Sequence, residues 1–78
     1  MDKNLLLIFP NPSSGILNVQ SNEKIESIEV FDLYGKSMVQ FDSITNNAQI
    51  DLGRLASGNY ILLAKFATGT VQRKISIH

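Results

Sequence analysis

Apolar and polar positions alternate with period two in short runs, and no helical period is sustained over three turns. The first run is Leu5 to Phe9, broken by Pro10-Asn11-Pro12-Ser13-Ser14-Gly15. Each proline removes a backbone donor and pushes the residue before it out of the α region, so this segment predicts a stiff crossing loop. Ile16 to Gln20 follows, with Leu17 and Val19 on one face, then the polar turn Ser21-Asn22-Glu23-Lys24. Ile25 to Asp32 is the third run, with Ile28 and Val30 inward. Asp32-Leu33-Tyr34-Gly35 predicts a hairpin turn, in which the Asp32 carboxylate caps backbone donors and Gly35 closes the corner. Lys36 to Phe41 is the fourth run, and Asp42 to Asn47 is expected to cross as a polar loop to the fifth, Ala48 to Leu52. Tyr60 to Phe66, apolar on both faces, predicts a central strand; Ala67-Thr68-Gly69-Thr70 is a tight turn, and Val71 to Ile77 closes the chain.

Seven short strands without a helix predict a seven-stranded antiparallel, immunoglobulin-like β-sandwich with Greek-key connections. The segment Asp51 to Leu63 is its pivot. A compact turn with Leu55 pointing inward leads to Gly58, placed where positive φ makes a sharp corner. Tyr60 then enters the strand, either as a plain core aromatic or as a tyrosine corner whose hydroxyl bonds backbone across the turn. Leu17, Val19, Ile28, Val30, Ile50, Leu52, Leu55, Tyr60, Leu62 and Ile75 are the expected core.

The 78 residues make one small domain, read as 5–78, with residues 1–4 the remnant of a linker or a start ahead of an excised domain. No cysteine is present, which removes disulfides, thiolate catalysis and cysteine-based zinc sites. Net charge is zero, but all seven acids lie within residues 1–51, and Arg54, Lys65, Arg73 and Lys74 follow without one. Folding interleaves these halves, so charge along the chain is not charge on a surface. The apolar run at Leu5 to Phe9 is too short to span a membrane, and Asp2 spoils a signal-peptide start.

Chemistry is sparse. His78 is the only histidine and the last residue, a poor place for a general base. Ser13, Ser14 and Ser57 have no histidine partner, and Asp32 and Asp51 stand where turns favour aspartate. No carboxylates have calcium-loop spacing, and no glycine loop joins a strand to a helix to cradle phosphate, so neither metal nor cofactor is expected. A basic excess with an aromatic platform is lacking, which argues against nucleic acid. The residues alone define a β-sandwich of accessory type and not an enzyme.

The order of motifs goes further. Phe9-Pro10-Asn11-Pro12-Ser13-Ser14-Gly15 resembles the tyrosine–proline–asparagine–proline opening of the type A C-terminal sorting domains of the Bacteroidota type IX secretion system. Ile28 to Lys36, Ile50 to Tyr60 and Arg73 to Ile77 are similar to the same family in the same order, with phenylalanine where tyrosine is usual at position 9. This resemblance implies a signal domain for an N-terminally attached passenger, in transit through the periplasm and then at the cell surface or secreted. It implies three partners: the translocon, an outer-membrane shuttle protein and a sortase that removes the domain, cutting at or before Met1 to Asn4. It places recognition on the terminal strand, at Lys74, Ile75, Ser76, Ile77 and His78 with its carboxylate; Arg73 and Lys74 would add charge recognition. Pro10, Asn11, Pro12, Asp32, Gly35, Leu55, Gly58 and Tyr60 are its structural positions. An alternative is an immunoglobulin-like spacer or a carbohydrate-binding module of a secreted enzyme, for which Phe31, Tyr34 and Phe41 are the candidate aromatics. Asp42-Ser43-Ile44 also resembles a Bacteroidota O-glycosylation acceptor, beside the simpler reading as loop.

Overall fold

The computed structural model describes residues 6–10, 15–44 and 47–78. Its seven strands are β1 (Leu6–Phe9), β2 (Ile16–Ser21), β3 (Ile25–Phe31), β4 (Ser37–Ile44), β5 (Asn47–Asp51), β6 (Gly58–Phe66) and β7 (Gly69–Ile77). They form a three-stranded sheet of order β1-β2-β5 and a four-stranded sheet of order β4-β3-β6-β7. Every pairing is antiparallel, and the described chain contains no helix. The fold is a β-sandwich.

Period-two burial makes the two layers. Leu6, Leu17, Val19 and Ile50 face inward from the smaller sheet; Ile28, Val30, Tyr60, Leu62, Ala64, Phe66, Ile75 and Ile77 face them from the larger. Burying one such side chain contributes roughly 1.5–3 kcal/mol, and with no disulfide this packing is the main source of stability. β6 lies between β3 and β7, as its two apolar faces predict.

Three expectations need correction. Asp42-Ser43-Ile44 is not loop: β4 runs on through it and pairs Ile44 with Ile25, both buried. One isoleucine reaching the core outweighs its polar neighbours. Leu55 is only half-buried, because it packs against the core from a turn at the margin instead of from a strand. β7 begins at Gly69, leaving Ala67 and Thr68 as the whole turn between β6 and β7.

The corners hold by local hydrogen bonds. Asp32 Oδ1 accepts from the backbone N–H groups of Tyr34 and Lys36, both at 2.9 Å, and the Gly35 N–H donates to the Asp32 carbonyl at 3.1 Å. Asp51 Oδ1 likewise accepts from the Gly53 N–H at 2.8 Å. Gly15 joins distant parts of the chain: its carbonyl accepts from the Leu52 N–H at 2.6 Å. Its φ is +123°, and a Cβ there would lie 3.0 Å from the Gly53 Cα, so both conformation and close approach require glycine. Pro10 is exposed at the end of β1, after a cis peptide bond from Phe9. Asn11 and Pro12 lie outside the described residues.

Candidate functional site

β7 pairs with β6 without a register shift, from Gly58↔Ile77 to Phe66↔Gly69. A two-residue turn sets that register. Among the described strands none lies on its other side, so β7 is the last strand of the four-stranded sheet. The opposite edge, β4, shifts register against β3 between Val30 and Phe31. Strand addition takes place along the backbone of a sheet's outermost strand, and a regular ladder sets that backbone in register for it.

Side chains on β7 divide by face. Ile75 and Ile77 are buried in the core, opposite Tyr60 and Gly58. Lys74 is exposed on the outer face, opposite Ile61. Ser76 is half-buried, and its Oγ donates to Asn59 Oδ1 at 2.7 Å across the ladder. His78 follows the strand and is exposed. Arg73 occupies an inward register position opposite Leu62 yet stays exposed, its Nη1 donating to the Gln72 carbonyl at 3.0 Å. A charge at an inward position of an edge strand discourages indiscriminate strand pairing.

The corner before β6 and the end of β7 meet here. Gly58 starts β6 with φ +154°, in a region that residues with a Cβ rarely occupy. Among the described residues, its chain neighbours aside, none comes within 4 Å of where its Cβ would be, so the requirement there is conformational. Two residues on, the Tyr60 ring is buried and its hydroxyl donates to the Ala56 carbonyl at 2.5 Å, closing a tyrosine corner. Ser57, Gly58, Asn59, Ser76, Ile77 and His78 line a shallow cavity of about 320 Å³ beside it. The expected terminal residues and the expected Gly58–Tyr60 corner are therefore one neighbourhood. Asp32 and Gly35 form a separate turn between β3 and β4, and Leu55 lines a different cavity of about 430 Å³ with Met38, Val39 and Phe41.

Sequence reasoning missed Asn59, and weighed Ser57 only as a nucleophile. The signal for Asn59 was hairpin register, which pairs it with Ser76 only when the turn is bounded at Ala67 and Thr68.

The three candidate aromatics do not share a platform. Tyr34 is 97% exposed at a turn tip, Phe41 packs against the core, and Phe31 is half-buried in β3. Among the described residues, no three of histidine, cysteine, aspartate and glutamate gather as a metal site.

Residues 7–78 match the family model of the secretion system C-terminal sorting domain. The match spans nearly the whole chain, and the chain belongs to that family, the sorting domains of type IX secretion. Such a domain is the signal that sends an attached protein to the cell surface or out of the cell, and the family is not an enzyme class. No curated protein matches the chain.

Proposed function

We propose that this domain carries an N-terminally attached passenger across the outer membrane, and that the machinery grips it at the edge of β7. The observation that carries this reading is the unbroken β6–β7 ladder, with β7 outermost among the described strands of its sheet and the Ser76–Asn59 pair and its cavity near its end. A partner strand adding to that edge gains affinity from backbone hydrogen bonds, and side chains on either face set specificity. Arg73 toward the inner side and Lys74 on the outer side favour a partner with acidic side chains. Ile75 and Ile77 hold the strand to the core, so the recognised edge exists only when the domain is folded.

The partners in this reading are the translocon, an outer-membrane shuttle protein that receives the folded domain, and a surface sortase that removes it. Family membership supports them. The cut falls at or before residues 1–4, which lie outside the described residues.

The test is a reporter fused ahead of this domain in a host with a working type IX system. The reporter should reach the medium or surface, shortened by the mass of the domain. A reporter retained in the periplasm beside a folded domain contradicts the reading.

A further inference from the structure

Apart from Lys74, the outer face of the four-stranded sheet carries a pattern that the proposed β7 contact does not use. Its residues follow from register. One row is Asp42, Ser27, Lys65 and Thr70, read from β4 to β7; the next is Gln40, Glu29, Leu63 and Gln72. In the third, Phe31 stands beside Ile61. Phe31, Ile61 and Leu63 are half-buried although they point away from the core, and no described strand lies over them. An aromatic and two aliphatic side chains grouped on an outer sheet face mark an interaction surface. Charge is divided around them: Asp42 and Glu29 lie on the β4–β3 side, and Lys65 lies on β6.

We propose that this face pairs with the same face of a second copy about a two-fold axis parallel to the strands. Such an axis exchanges left and right across the sheet, so the acidic side of each copy meets the basic side of the other. Phe31 then packs on Ile61 of the second copy. Lys65 of the second copy lies over Ser27, within reach of Asp42 one strand away and Glu29 two residues along. A two-fold axis running across the strands stacks acid on acid and base on base, which disfavours it. The identical patch on both copies makes the contact closed and self-limiting. This inference goes beyond sorting, since it uses the face of the sheet and not the backbone edge of β7, with Lys74 alone common to both.

The size of the face sets the strength. Four strands about 4.8 Å apart, over about five residues each, offer on the order of 300–400 Å² per copy. The total over two copies, about 600–800 Å², is below the roughly 1,200 Å² of a stable interface, so the dimer is weak and forms where the domain is concentrated.

Sedimentation velocity on the 78-residue chain, from about 10 µM to about 1 mM, covers the range for a contact of that size. The sedimentation coefficient should rise with concentration and fall back as salt is added. K65E alone and the double variant E29K/D42K alone should each stay monomeric, because each places like charges across the axis. An equimolar mixture of the two variants should sediment as a dimer, because both contacts between the copies are then complementary. Mixing does not repair contacts within either chain, so this gain isolates the contact between copies. Thermal unfolding of each variant confirms that it is folded. A parent chain that stays monomeric throughout, including one that reserves this face for a different protein, overturns the inference. So does a mixture that sediments no faster than its components.

Discussion

The two edges of the larger sheet are built differently. β4 pairs with β3 through a register shift, and its partly buried Val39 and Phe41 line a cavity shared with the turn that holds Leu55. β7 pairs with β6 in one unbroken ladder and ends at the Ser76–Asn59 bond. An irregular edge is protected against further pairing, whereas a regular edge invites it. β7 is restrained instead by charge, with Arg73 on one side and Lys74 on the other. One edge is closed by shape and the other is filtered by chemistry, and the proposed recognition at β7 rests on that difference.

The largest effect should come from the inner face of β7. Ile75→Ala empties a fully buried position and should cost about 2–4 kcal/mol, against about 1 kcal/mol for Val39→Ala on half-buried β4. Chemical denaturation measures both, and equal losses would break the contrast in how the two strands are anchored. Gly58→Val should cost about 1–3 kcal/mol through backbone conformation alone. A shift near zero would show that the corner preceding the β7 contact is relaxed. Tyr60→Phe keeps the buried ring and removes the hydrogen bond to Ala56, for about 0.5–1.5 kcal/mol. A loss within error would mean the tyrosine corner contributes packing only.

Much of this contrast was legible in the chain. Alternation at Ile28–Val30 and Tyr60–Leu62–Ala64 marks inward faces because one sheet face is dry and the other wet. Asp32 and Tyr60 were legible because their partners, Tyr34, Lys36 and Ala56, lie within four residues. Contacts set by distant chain were not. Ile44 looks like part of a polar crossing until Ile25 stands opposite it. The approach of Gly15 to Gly53 depends on how β2 and β5 come together, and no local pattern encodes it. Leu55 has the hydrophobicity of a core residue, but its depth depends on where the turn sits relative to both sheets. Bounding the last turn at four residues instead of two set Tyr60 against Ile77, and so hid the Asn59–Ser76 pair.

The most direct test sets one edge against the other under equal changes of charge. R73Q/K74Q removes two positive charges from β7, and S37E/Q40E adds two negative charges to β4, all at exposed positions. Each should keep unfolding free energy within about 0.5 kcal/mol of the parent. With a reporter fused ahead of the domain, the ratio of exported to periplasmic reporter is the measurement. Recognition at β7 predicts that R73Q/K74Q leaves most reporter in the periplasm, while S37E/Q40E exports like the parent. Parental export from the β7 variant, or equal loss from both, contradicts it.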